Sequence, residues 1–201
     1  KVKRVKLDGH KVLNPIDFKA RTIEFHFVET FNPRFFIEEL RKVFPLNQIA
    51  MIAESGVAEA DIISKISDER SFMLVDLFFN HSDVFLFQNG SISYLKRYNW
   101  GPANFLEGLS QAFAVSETIA KQILHLYIIQ QASPAVLKRI ERIAMSEFEK
   151  LANQLSEPVS RYDASVIYLV SGSDLPEFVF GEGFKNPLKT RQPLKFLPMS
   201  Y

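Results

Sequence analysis

Residues 72–100 read FMLVDLFFNHSDVFLFQNGSISYLKRYNW, and their pattern decides the fold. Apolar runs at Phe72–Val75 and Val84–Phe87, then alternation through Ile92, Tyr94 and Leu95, predict three successive strands. Gln88-Asn89-Gly90 supplies a tight turn between the second and third, because Asn-Gly takes the positive φ angles that a two-residue hairpin demands. The result is an antiparallel meander. Its first strand ends in Asp76, followed by a short loop, Leu77-Phe78-Phe79-Asn80-His81-Ser82, that contains no glycine.

Composition bounds what the chain can do. Its 201 residues are 47% hydrophobic with a net charge of +1, enough for a sizeable core and too little charge for an electrostatic nucleic-acid platform. Nineteen phenylalanines against one tryptophan indicate a core filled with aromatic volume. The absence of cysteine excludes disulfides, thiolate metal sites and a cysteine nucleophile. No apolar run reaches the ~20 residues needed to cross a bilayer and no signal-peptide pattern opens the chain, so a soluble protein is expected. The sequence begins at Lys1 rather than methionine, which suggests a fragment or a processed form.

The flanking segments alternate strands and helices. Residues 1–15 place Val2, Val5, Leu7 and Val12 around Asp8-Gly9, a strand-turn-strand signal, with Lys1, Lys3, Arg4 and Lys6 on a solvated face. Ile23, Phe25 and Phe27 alternate with Glu24, His26 and Val28, predicting a half-buried strand with His26 on its polar side. Asn32-Pro33 reads as an N-cap and first-turn proline for a helix striped by Phe36, Ile37, Leu40, Val43 and Phe44. A strand over Gln48–Ala53 and a helix over Gly56–Ile66 follow. Beyond the meander, helices are expected over Gly101–Ala114, over Ser116–Gln130 with Ser116 as N-cap, and from Ser133-Pro134 onward with Leu137, Ile140, Ala144, Phe148, Leu151 and Leu155 at helical spacing. Val166–Val170 reads as a buried strand running into Ser171-Gly172-Ser173, with a helix start at Asp174-Leu175-Pro176. The proline-spaced tail reads as extended edge structure or loop.

Taken together, these segments resemble the second half of an actin-type ATPase. There the segment aligned with Val75 to Asp83 reads roughly V-D-I-G-G-G-T-T-D, and the segment aligned with Ser165–Pro176 carries the adenosine motif L-T-G-G-G-x-x-L-P. The chain is most similar to the cell-division protein family FtsA, and next to the type IV pilus family PilM. The resemblance implies a mixed α/β, actin-like or ribonuclease H-like domain over 69–201, reduced between its helices. It also implies an inserted strand-helix-strand-strand subdomain with a connecting helix over 1–68, a protein-interaction module in those families. It makes Asp76, Asn80, Ser82, Ser171, Gly172 and Ser173 the vestige of a nucleotide pocket, Asp76 standing where a relative helps hold hydrated magnesium and Ser82 where one has a phosphate-contacting threonine.

The residues depart from that pattern at the chemistry. A loop that cradles phosphate aims backbone N–H groups at the anion, which glycine permits and side chains obstruct. Phe78 and Phe79 fill that space, one of the three adenosine-motif glycines remains, and no first phosphate loop is found. The favoured reading makes Asp76 a polar strand end and Ser82 a turn residue. The four histidines are scattered, no H-E-x-x-H or G-x-S-x-G occurs, and His81 beside Asp83 is read as incidental. The expectation is a non-catalytic scaffold with no cofactor and no metal. It would bind protein partners from division or pilus assembly, with self-association, and no nucleic acid. The resemblance implies a cytoplasmic protein held to the inner face of the membrane through partners. ATP with magnesium belongs to the alternative, a divergent ATPase.

Overall fold

The computed structural model describes residues 2–27, 33–44, 54–173, 175–176, 184, 188, 190 and 192–198. They divide into two compact units, Lys1–Ala58 and Glu59–Tyr201.

The smaller unit holds β1 (Val2–Leu7), β2 (His10–Val12) and β3 (Ile23–Phe27), an antiparallel sheet in the order β2-β1-β3, and α1 (Arg34–Val43). Asp8 and Gly9 both take positive φ, 48° and 83°, and pair Leu7 with His10 across a two-residue turn, as their sequence predicts. Asp8 does more than turn the chain. Its Oδ1 accepts from the N–H groups of Thr22 (2.8 Å) and Arg21 (3.0 Å) and from the Thr22 hydroxyl (3.1 Å), fixing the start of β3 beside β1. Lys6 pairs with Glu24 at 3.1 Å on the polar face.

Two expectations for this unit need correction. The alternation of β3 is present, yet the two apolar side chains described on it lie mostly in the open: Ile23 is 55% and Phe25 56% exposed. Alternation fixes which side chains share a face, while cover depends on a second layer. Pro33, rather than Asn32, sits at the N-cap of α1, with no side-chain cap, and none of its described residues is buried. The strand expected over 48–53 and the side chain of His26 lie outside the described residues.

The larger unit is a five-stranded sheet in the order β6-β5-β4-β7-β8, from β4 (Ser71–Leu77), β5 (Ser82–Gln88), β6 (Ser91–Tyr98), β7 (Val166–Ser171) and β8 (Leu194–Pro198). Only β5 runs against the others, pairing antiparallel with β4 and β6, while β4, β7 and β8 pair in parallel. Asn89 and Gly90, at φ 50° and 73°, make the predicted turn between β5 and β6. The proline-spaced tail contributes the edge strand β8.

The pleat sorts side chains into two layers. Met73, Val75, Leu77, Val84, Ile167 and Leu169 meet α3 (Pro102–Phe113), α4 (Glu117–Ile128) and α5 (Pro134–Arg161). Phe72, Leu74, Phe85, Val166, Tyr168 and Val170 meet Ala60 and Ile63 of α2 (Ser55–Ile66). β4 and β7 are apolar on both faces, as parallel strands covered on both sides require. The stripe read along α5 is its core face: Ile140, Ala144, Phe148, Leu151 and Leu155 are buried. Ser116 and Ser133 cap α4 and α5 through their hydroxyls. Asp174 lies outside the described residues, and Leu175 and Pro176 are not helical.

Asp8 gives a pH-dependent prediction. The Thr22 N–H, above all, holds its carboxyl below the usual aspartate value against the opposing effect of desolvation, helped by the Thr22 hydroxyl, the Arg21 N–H and His10. A carboxyl lowered on folding stabilises fully above its unfolded pKa, and the contribution is lost as pH falls through the folded value. Asp8→Ala should therefore reduce hydrogen-exchange protection of the Arg21 and Thr22 amides at neutral pH. The parent should approach the variant once acidified below that value, and equal protection at pH 7 would refute the assigned role.

Candidate functional site

Parallel strands β4 and β7 end side by side, Asp76 level with Val170 and Leu77 with Ser171. In α/β sheets of this kind ligands bind beyond the carboxyl ends of the strands. Of the six residues implicated in a vestigial pocket, the register sets five at this rim: Asp76, Ser82 opposite Leu77, Ser171, Gly172 and Ser173. The pleat nevertheless sends Asp76 toward the α2 layer and Ser171 toward the α3–α5 layer.

Asp76 is buried and faces Asp83 across the β4–β5 ladder. Asp83, also buried, is forked by Arg97 of β6, Nε donating to Oδ1 at 2.8 Å and Nη2 to Oδ2 at 2.7 Å. That bidentate contact offsets the cost of placing two carboxylates on adjacent strands. His81 Nε2 lies 3.8 Å from Asp83 Oδ2, beyond hydrogen-bond range, and its ring stacks on Phe78 with centroids 4.7 Å apart. The two side chains are not hydrogen-bonded to each other. Ser82 is fully buried and donates its hydroxyl to the Trp100 carbonyl at 2.6 Å. Its oxygen serves the fold. Ser171 Oγ accepts from the Ser173 N–H at 3.1 Å, shaping the turn after β7, while Asn80 and Gly172 are exposed.

The loop between β4 and β5 is locked from outside. A Cβ on Gly101 would lie 2.5 Å from the Phe79 carbonyl oxygen and 2.8 Å from the His81 nitrogen, and closer still to the Phe78 oxygen. Gly101 has extended backbone, so what it provides is space. Through that gap the Ala103 N–H donates to the Phe79 carbonyl at 2.8 Å. The opening of α3 is otherwise closed on itself: the Gly101 N–H donates to Asn104 Oδ1 and the Asn104 N–H to the Gly101 carbonyl, both at 2.9 Å, and Pro102 has no N–H. A helix N-terminus that could have held an anion thus holds the loop's own carbonyl.

Beside this lock is a cleft of about 290 Å³ lined by Phe79, Pro102, Phe105, Leu106, Lys121, Leu124, His125, Ile128, Ser173 and Leu175. Lys121 Nζ sits 5.5 Å above the Phe79 ring and 2.7 Å from Glu117. The sequence reading missed this cleft. Its one available signal was the four-residue spacing of Lys121 and His125, which sets both on one face of α4. Among the described residues, no group of three or more histidine or carboxylate side chains is placed to hold a metal ion.

The backbone can be compared with solved proteins. The ethanolamine utilization protein EutJ from Carboxydothermus hydrogenoformans superposes with a TM-score of 0.57 at 17% identity, over 71% of this chain and 49% of that one. The fold is actin-like. A ROK family glucokinase from Streptomyces griseus, in complex with glucose and AMPPNP, gives 0.55 at 9% identity over 79% and 66%, and the PilM-PilN type IV pilus biogenesis complex 0.51 at 12% over 73% and 42%. The chain therefore spans about half the length of EutJ and PilM and under two thirds of the glucokinase. No family model and no curated protein sequence matches it.

The lock predicts opposite behaviour at two glycines. Gly101→Ala must displace backbone and should cost about 2–3 kcal/mol in urea unfolding. At Gly108, inside α3, a Cβ meets only the Glu147 and Ile143 side chains at 3.3 Å. Gly108→Ala should stay within about 1 kcal/mol of the parent, since helix propensity favours alanine. Equal effects at both sites would mean the loop is free to move.

Proposed function

We propose that this chain is a non-catalytic actin-like scaffold, working through protein partners rather than through nucleotide hydrolysis. The observation that carries this reading is the inverted loop at residues 78–81: a carbonyl, not an N–H, meets the N-terminus of α3, and aromatic rings stand where an anion cradle needs open backbone. Asp76, Asn80, Ser82, Ser171, Gly172 and Ser173 are in this reading remnants of a nucleotide pocket, retained as structural residues.

In the scaffold reading residues 1–68 form the interaction module and 69–201 the reduced actin-like domain. The exposed Ile23 and Phe25 on the small sheet, with Phe35 and Val43 on α1, give that module an apolar surface unusual for a region with no partner. A role in pilus-type, membrane-associated assembly is supported by the backbone likeness to PilM, solved with PilN. The division role of FtsA rests on motif resemblance. Among the described residues no helix is long and apolar enough to cross a membrane. In the scaffold reading, attachment to the inner face of a cytoplasmic membrane runs through a partner. Self-association through the same apolar surface belongs to this proposal.

The second reading, a divergent ATP-binding protein, is favoured by one observation: a glucokinase of the same fold was solved with AMPPNP. Calorimetric titration with ATP and magnesium, with Asp76→Ala alongside, separates the two. The scaffold predicts no saturable heat at millimolar nucleotide in either protein. Saturable binding that the substitution removes would establish the second reading.

A further inference from the structure

The geometry points to the cleft between the Phe79 loop, α3, α4 and the turn after β7 as a binding site for a compact apolar carboxylate. The cleft shares Ser173 with the vestigial nucleotide pocket, and its other lining residues lie outside that set. Its floor is Phe105, Leu106 and Leu124, all buried, and Ile128 and Leu175 wall it. A volume near 290 Å³ is at the small end of ligand sites, room for a molecule of about ten to fifteen heavy atoms.

Charge at the rim selects the polar end. Lys121 and His125, one helical turn apart, are the ionisable groups among the described lining residues, and no carboxylate is among them. Lys121 is engaged by Glu117, but both side chains are more than half exposed, at 53% and 59%. An ion pair of that kind contributes little and is exchanged cheaply for a ligand carboxylate. Phe79, at the mouth and 43% exposed, lies under the Lys121 ammonium and offers its ring face to an aromatic or branched body. An uncharged apolar molecule would leave the Lys121 ammonium unused, and a polyanion would place charge over the apolar floor.

The probe is 3-phenylpropionate, compared with its neutral amide, in an amide-detected NMR titration of the full chain. The expected result is saturable shifts at Phe79, Leu124, His125 and Ser173 in the low millimolar range, with the acid preferred about five-fold, the worth of one solvent-exposed charge contact. Lys121→Gln should abolish the preference for the acid over the amide. Ile128→Trp, at a partly exposed position of the mouth, should remove binding of both without loss of fold. Shifts confined to other surfaces, equal affinity for acid and amide, insensitivity to either substitution, or no shifts at all would each overturn the assignment. Asp76, the residue substituted in the ATP titration, does not line this cleft, so the two proposals fail separately.

Discussion

Gly101 is the contact on which the larger unit turns. It allows the β4–β5 loop to lie against the start of α3, close enough for the Phe79 carbonyl to take the Ala103 N–H. From that one approach follow the burial of Ser82 under Trp100, the exit direction of α3, and the mouth of the cleft, where Phe79 is held beneath Lys121. In a protein that cradles phosphate the corresponding loop must keep its donors outward. Here one donor of α3, the Ala103 N–H, satisfies the loop's Phe79 carbonyl, and the positive end of the helix faces the chain's own acceptor.

The two layers of the central sheet divide labour in a way the pleat makes unavoidable. Odd positions of β4 build the large core against three helices, and even positions the smaller one against α2. Asp76 falls on the smaller side because it follows Phe72 and Leu74 at period two. Its neighbour in the ladder is Asp83, and the arrangement is tenable because Arg97, next in the same row, forks that second carboxylate.

Much of this was legible in the sequence, for local reasons. Asn89-Gly90 and Asp8-Gly9 announce hairpins because few other dipeptides take two positive φ angles. Apolar runs announce β4, β5 and β7, and serines before Pro134 and Glu117 announce helix starts. What stayed hidden depends on distant partners. The orientation of the Phe78–Phe79 loop is decided by a missing Cβ more than twenty positions later. The exposure of Ile23 and Phe25 is decided by what lies over them, and alternation is silent on that. The cleft needs four separate segments to meet, and no one of them carries a motif.

The parallel pairing at the sheet's centre sets an order of events. Phe72 pairs with Val166, so the ladder between β4 and β7 waits until a long intervening stretch has been made and gathered. Loop-closure entropy opposes that step, whereas the β4–β5–β6 meander needs only short turns. The Ser165 hydroxyl, touching both Glu69 and the Ser71 carbonyl, fastens the two strand starts once they meet. The meander is therefore the natural nucleus, and α3 to α5 form while its far edge is still bare. During synthesis that open β4 edge, apolar on both faces, is the stretch of this chain most exposed to mispairing.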